Sequence, residues 1–198
     1  MDQQQAFEQV TVVGGGLAGS ECALSLAARG VPVKLIEMRP VRTSPAHKTG
    51  DLAELVCSNS LKSTRVDSAA GLLKAELDLM GSKLLPLAKA SAVPAGGALA
   101  VDREAFAQAV TQAIEESPLI ELVRQEVTEI PQGPVVIAAG PLCSEALFAS
   151  VQALLAESGA AEALSFFDAA APIVDASTID REVVFTQSRY GEAEVGDY

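Results

Sequence analysis

Residues 9–19 read QVTVVGGGLAG, and they decide the fold. Residues 9–14 are a short apolar run in which Val10, Val12 and Val13 supply β-branched bulk, as a buried strand requires. Gly14, Gly15 and Gly16 form a turn. Leu17, Ala18 and Gly19 then open LAGSECALSLAARG, a run of good helix formers that Gly30 stops at the C′ position. Residues 31–38, VPVKLIEM, read as a second strand, with Pro32 near its start, where a missing donor is tolerated. Strand, turn, helix and strand within about thirty residues is the size of one βαβ unit.

The glycines fit GxGxxG, and each has a mechanical task. Gly14 allows the tight turn off the strand. Gly16 removes a side chain so that backbone can approach a pyrophosphate, and Gly19 lets the helix pack closely. Gly14, Gly15, Gly16, Leu17, Ala18 and Gly19 are therefore the candidate cofactor cradle, at a helix N-terminus whose N–H groups and dipole favour an anion. Glu37 follows eighteen residues after Gly19, at the end of the second strand. A carboxylate there accepts hydrogen bonds from ribose hydroxyls and opposes a 2′-phosphate, which disfavours NADP at this site. A glycine turn with no ligand fits the same glycines; the strand, helix and carboxylate in order weigh against it.

A later apolar strand, residues 135–141 (VVIAAGP), ends in Ala139 and Gly140. It resembles the second FAD signature of glutathione-reductase-like flavoproteins, in which this strand returns beside the first and ends near the cofactor. A buried strand ending in a plain turn fits the same residues. The pair of motifs favours FAD over NAD and makes Ala139 and Gly140 candidate FAD contacts. The expected fold class is α/β, a Rossmann-like, glutathione-reductase-like FAD-binding domain with a long insertion and the start of a second domain.

The chain has 198 residues, 49% of them hydrophobic, enough for one core and part of another. The polar start MDQQQAFEQ does not read as a secretory signal, and no apolar run is long enough to span a bilayer, so a cytoplasmic protein without membrane contact is expected. Cys22, Cys57 and Cys143 are odd in number and widely spaced, which is no disulfide framework; with His47 the lone histidine, no metal site is expected. The net charge of −12 argues against a chain that grips nucleic acid throughout. Residues 29–89, however, hold ten Lys/Arg against six Asp/Glu. That basic stretch faces an anionic partner or is a solvated face.

The remaining chain divides by pattern. Residues 39–70, rich in Pro, Ser, Thr and basic side chains, read as a long excursion with one short helical turn around Leu52–Val56. Residues 71–81 read as an amphipathic helix with apolar Leu72, Leu73, Leu77 and Met80. AVPAGGALAVDRE is a turn-rich crossing back towards the sheet. A helix over 103–116 follows, with Asp102 as N-cap and a stripe of Phe106, Ala109, Val110, Ala113 and Ile114. Residues 119–130 and 134–140 read as strands, 144–158 as a helix, and 181–190 as a further strand. Residues 1–38 and 92–145 are expected to form the FAD-binding domain, 39–91 the insertion, and 146–198 the start of a second domain left incomplete, as in a fragment.

Three stretches carry a family resemblance: EMRPVRTSPAHKTGDLAELVCSNSLKS, GLLKAELDLMGS and VPAGGALAVDRE. They resemble the folate- and FAD-dependent tRNA (uracil-5-)-methyltransferases, the small relatives of the glucose-inhibited division protein A family. AAAPIVDASTID and SRYGEAEVGDY resemble the same proteins, so the likeness runs across essentially the whole chain. The resemblance implies methylation of the T-loop uridine of tRNA at carbon 5. Methylenetetrahydrofolate gives the carbon, FAD the reducing equivalents, and NAD(P)H restores the reduced flavin. It implies tRNA and folate as partners of the full-length form, and family members extend well past Tyr198. The larger sister flavoprotein that modifies the wobble uridine is the alternative within the family, and a non-catalytic FAD-binding fragment is the alternative outside catalysis.

Uridine carbon 5 becomes nucleophilic once a thiolate adds at carbon 6, so the resemblance makes Cys57 the candidate catalytic thiol. A small buried hydrophobe is the other reading of Cys57, and the resemblance implies a further functional cysteine beyond this chain as the alternative nucleophile. Ser58, Asn59 and Ser60, beside it in the same motif, are candidate donors to flavin or substrate. Cys22 reads as core and Cys143 as packing near the cofactor. His47 is a cofactor contact or a solvated loop residue. Arg39, Arg42, Lys48, Lys62 and Arg65 meet tRNA phosphates or folate carboxylates, or are simply solvated.

Overall fold

The computed structural model describes residues 8–157, 176–180, 182 and 183. Along the chain run β1 (Val10–Val13), α1 (Leu17–Ala27), β2 (Val33–Glu37), β3 (Ser60–Ser63), α2 (Ala69–Leu79), α3 (Leu84–Ala90), β4 (Ala92–Val93), β5 (Ala98–Val101), α4 (Arg103–Glu115), β6 (Ile120–Arg124), β7 (Val135–Ile137) and α5 (Glu145–Glu157). A short 3-10 turn follows at Ala176–Thr178. The chain forms two compact units, residues 1–54 with 107–168, and residues 55–106 with 169–198. The expected strand over 181–190 and the stretch beginning at residue 165 lie almost wholly outside the described residues.

The first unit holds a four-stranded sheet in the order β6-β2-β1-β7. All its pairings are parallel, with Val10 opposite Val33, Thr11 opposite Val135 and Val33 opposite Ile120. Parallel sheets are covered on both faces, and the strands carry apolar side chains accordingly. Val12, Val33 and Leu35 are fully buried, as is Ala23 of α1. The return strand β7 lies beside β1, as expected of the flavoprotein fold. This order reverses direction between β1 and β7, and in open α/β sheets ligands bind beyond the strand ends at such a switch point.

Gly30 closes α1. Its φ is +79°, its N–H donates to Ala27 O, and the Val31 N–H donates to Leu26 O, the paired bonds of a Schellman turn. Asp102 caps α4 as its sequence predicts, with Oδ1 accepting from the Glu104 and Ala105 N–H groups. Strand β6 stops at Arg124 instead of running to Ile130.

The second unit builds its own small antiparallel sheet, in the order β3-β5-β4. The crossing over residues 92–101 therefore pairs with Ser60–Ser63 and does not rejoin the parallel sheet. Residues 52–56 carry turns and no helix, since Ala53 takes a left-handed φ of +52° that a helix does not accommodate. Among the described residues, Leu84, Leu85 and Ala88 of α3, Leu99, Ala100 and Val101 of β5, and Phe106 form this unit's buried apolar set. Helix α2 departs from the expected stripe. Gly71 is its buried residue, pressed against the turn that leads into the helix, where a side chain would lie 1.8 Å from the Arg65 carbonyl oxygen. Leu72, Leu73 and Met80 are exposed. The compact-unit boundaries, at residues 54/55 and 106/107, leave residues 39–54 with the first unit and residues 92–106 with the second.

Candidate functional site

The C-terminal ends of β1 and β7 meet at Gly14. Its φ is +104°, and a Cβ there would stand 2.6 Å from Ala139 Cα and 2.7 Å from Ala138 O. Only glycine satisfies both the turn and this approach. The Ala138 N–H donates to Val13 O at 2.7 Å, and the Gly14 N–H donates to Ile36 O at 2.8 Å. The two glycine-bearing motifs, more than a hundred residues apart in sequence, thus share one strand-end junction.

Gly16 is the N-cap of α1 and has no side chain with which to cap it, and no acidic residue occupies the first turn. The leading N–H groups of a helix need external acceptors, and an anion suits them. A Cβ on Gly16 would meet nothing within 4 Å. A Cβ on Gly19 would instead fall 1.8 Å from Gly14 O. Gly16 opens space to the outside, whereas Gly19 closes space within.

Glu37 ends β2 and is 5% exposed. Its Oε2 accepts from the Gly15 N–H at 2.6 Å, and its Oε1 accepts from the Arg39 backbone N–H at 3.0 Å and from Arg39 Nε at 2.9 Å. Burial alone would raise the Glu37 pKa; the Arg39 guanidinium and the two backbone donors outweigh it and hold the carboxyl below the usual range. The group is therefore ionised at neutral pH, and Oε2 keeps one lone pair for a further donor.

Arg39 departs from the expected phosphate-contacting role. It is 1% exposed, and its Nη1 lies 2.9 Å from Glu54 Oε2. Two carboxylates and one guanidinium form a buried cluster that carries one net negative charge. Arg42 pairs with Glu126 and Arg65 with Asp67, while Lys48 contributes its backbone N–H to Glu54.

A small, open cleft of about 70 Å³ lies over these strand ends. Gly14, Gly16, Glu37, Arg39, His47 and Ala139 are among its lining residues, together with Glu126, Cys143 and Ser144. His47 Nδ1 is 2.6 Å from Ser44 Oγ. Burial, then the charge of Arg39, lowers the imidazole pKa, so the ring is neutral at pH 7. Cys143 is half-buried and burial pushes its thiol pKa up; Cys22 is likewise half-buried rather than fully in the core.

Gly140 follows Ala139 with a φ of +65°. Leu17 and Ala18 lead α1; Leu17 is exposed, and Ala18 faces a second, apolar groove with Ile137, Gly140 and Phe148. Cys57, Ser58, Asn59 and Ser60 belong to the second unit. Cys57 is exposed, which removes the reading of it as a buried hydrophobe. Asn59 Nδ2 donates to Val101 O, Ser58 Oγ accepts from the Ser60 N–H, and Ser60 Oγ accepts from the Lys62 N–H. These polar atoms shape the entry to β3.

Sequence reasoning missed Arg39 and Glu54 as parts of this site. The signal for Arg39 was present: residues two apart on an extended segment share a face, so Glu37 and Arg39 are placed to meet. No comparable spacing rule reaches Glu54.

The cleft suits a dinucleotide on its own chemistry. It offers a side-chain-free approach at Gly16, an uncapped helix N-terminus and an ionised carboxylate beside them. Comparison with known proteins agrees with the fold. A solved structure of GidA from Aquifex aeolicus shares it at a TM-score of 0.50 and 16% identity, over 67% of this chain and 22% of that one. The methylenetetrahydrofolate–tRNA-(uracil-5-)-methyltransferase TrmFO of Streptococcus sanguinis is 53% identical over 186 residues, 93% of this chain and 41% of the relative. The enzyme of the same name from Myxococcus xanthus is 53% identical over 198 residues, 100% of this chain and 42% of the relative. The chain thus spans about two fifths of the length of these curated relatives. The model of the glucose-inhibited division protein A family matches residues 9–198, and the chain belongs to that family.

Proposed function

We propose that this chain is the FAD-binding part of a methylenetetrahydrofolate- and FAD-dependent tRNA (uracil-5-)-methyltransferase. The observation that carries the reading is the junction of Gly14 with Ala138 and Ala139, which sets both dinucleotide motifs at the cleft that Glu37 lines. The likeness to the TrmFO proteins, at 53% identity over most of the chain, supplies the substrate class.

In this reading Gly16 and the first turn of α1 hold the pyrophosphate, and Glu37 accepts a hydrogen bond from the adenosine ribose. The buried cluster's net negative charge opposes a 2′-phosphate there, which disfavours NADPH at this site. FAD bound there, once reduced by a nicotinamide cofactor, would supply the two electrons that turn a folate-borne methylene into a methyl group. Cys57 is an exposed thiol of the motif shared with the methyltransferases, and we assign it to thiol chemistry at uridine carbon 6. The reading carries with it a cytoplasmic setting, where tRNA and folate are available.

The decisive experiment is the flavin content of the purified chain and of its full-length relative form. Bound FAD with flavin absorbance is expected; a full-length protein free of flavin sinks the proposal. Nucleoside analysis of tRNA from a deletion strain then separates the two enzymatic readings. Loss of T-loop 5-methyluridine supports the methyltransferase, and loss of the wobble modification supports the larger sister flavoprotein.

A further inference from the structure

We propose that Glu54 is a positioning residue of the dinucleotide site: acting through Arg39, it sets the Glu37 carboxylate against the ribose without touching the ligand. This rests on the dinucleotide reading given above. Glu54 is not among the residues lining the cleft, yet it anchors one that is.

The chain of contacts is continuous. Glu54 Oε1 accepts from the Lys48 N–H at 2.9 Å. Its Oε2 accepts from the Thr49 N–H at 3.1 Å and from Thr49 Oγ1 at 2.9 Å. The carboxylate is thereby fixed by its own loop. The same Oε2 accepts from Arg39 Nη1 at 2.9 Å, and Thr49 O lies 3.5 Å from that nitrogen. Arg39 Nε then donates to Glu37 Oε1, and Glu37 Oε2 accepts from the Gly15 N–H. A guanidinium is a rigid planar fork, so fixing one end fixes the angle at which the other meets its carboxylate. The one lone-pair site of Glu37 that remains for a ribose hydroxyl, on Oε2, is therefore aimed from Glu54.

A second route ties the same segment to the glycine turn. The Ala53 N–H donates to Gly15 O at 2.8 Å. A Cβ on Gly15 would lie 2.4 Å from Leu52 Cδ2. Ala53 is fully buried at a φ of +52°, a conformation that persists only where surroundings impose it. Residues 48–54 thus strap the cradle from behind, with Glu54 as the charged clasp.

The test titrates the full chain with ADP and with 2′,3′-dideoxy-ADP, which lacks the ribose donors. Wild-type protein is expected to prefer ADP by about tenfold, the worth of one hydrogen bond to a charged group. Glu54→Gln is expected to weaken ADP by about that factor and leave the dideoxy analogue near its wild-type affinity. Glu37→Gln is expected to do the same, and the double variant to add little. Equal weakening of both nucleotides, or an intact preference for ADP, overturns the proposal. Thr49→Val, which removes one of the hydrogen bonds holding Glu54, is expected to lower the preference in part; an unchanged preference in that variant counts against Glu54 even if Glu54→Gln fails to fold. A wild-type chain that binds neither nucleotide refutes the dinucleotide reading itself, whereas a wild-type preference that survives both variants refutes only the role of Glu54.

Discussion

Gly19→Ala and Gly16→Ala form a pair that separates folding from ligand binding within four residues. At Gly19 the added methyl would sit 1.8 Å from Gly14 O and 3.0 Å from Gly14 C. An ordinary carbon–oxygen contact is about 3.3 Å, so α1 and the glycine turn must part by about 1.5 Å. Both sides of that contact are backbone, and neither can rotate away. Overpacking of this kind costs about 1–3 kcal/mol, and the rigid partners place it at the upper end. Alanine in a helix returns up to about 1 kcal/mol. The steric term wins, and the net loss is about 2 kcal/mol. For a domain of this size that lowers Tm by about 4–8 °C. At Gly16 the methyl meets nothing within 4 Å, and the residue's φ of −74° suits alanine. Its Tm is expected to stay within about 1 °C of wild type, while bound flavin is lost because the methyl occupies the pyrophosphate's approach. Thermal unfolding followed by circular dichroism, with flavin content measured on the same samples, reads both effects. A Gly19→Ala protein that melts at or above the wild-type temperature refutes the close contact. Full flavin binding by Gly16→Ala refutes the placement of the pyrophosphate.

Glu37 and Glu54 both have folded pKa values below the ordinary carboxylate value, so the unfolded chain binds more protons as pH falls. Their contribution to stability is therefore present above about pH 4.3 and is lost below it; urea midpoints should hold near neutrality and drop in acid, and Glu37→Gln should flatten that drop. His47 also has a lowered pKa, so its neutral form is favoured by folding and stability is lost as pH falls below about 6.5; His47→Gln should remove this upper step, and a step that persists in the variant assigns it to another group. Thr111→Val removes the hydroxyl that accepts the buried Leu52 N–H at 2.8 Å, and should cost about 1–3 kcal/mol in urea unfolding with faster amide exchange at Leu52. Asp102→Ala, by deleting the cap of α4, should cost about 1 kcal/mol; an unchanged midpoint would show that the cap is dispensable.

What could be read from the sequence, and what could not, divides by the range of the physics involved. The βαβ unit rests on local rules: β-branched bulk in Val10–Val13, glycines where a turn and a close approach are required, and Gly30 in a left-handed cap. Each rule acts within a few residues, so strand, turn and helix were legible one after another. The pairing of β7 with β1 spans more than a hundred residues, and it was legible only because its glycine end matched a known flavoprotein signature. The antiparallel sheet of the second unit had no such mark. Ser60–Ser63 has no alternating apolar pattern, and its pairing with Ala98–Val101 comes from the crossing of the chain, not from propensity. The α2 stripe misled for a related reason. Amphipathicity tells which side of a helix is apolar, but not whether anything covers it: Leu72, Leu73 and Met80 are exposed, and Gly71 is the buried residue of α2.

The same division explains the candidate site. Glu37 was legible because its chemistry and its distance from the glycines are tied to a ligand's dimensions. Arg39 was misread because a basic side chain in a Pro- and Ser-rich stretch resembles a solvated phosphate contact. Its burial follows from having carboxylates on two sides, Glu37 two residues before it and Glu54 fifteen after. A buried guanidinium is tolerated only when its charge and donors are matched, and breaking one side leaves charge uncompensated. The arrangement therefore makes residues 48–54 part of the cradle's electrostatics although they share none of its sequence motif. The compact first unit accordingly extends to Glu54 and does not stop at the end of β2, seventeen residues earlier, where the glycine and carboxylate pattern alone would have closed it.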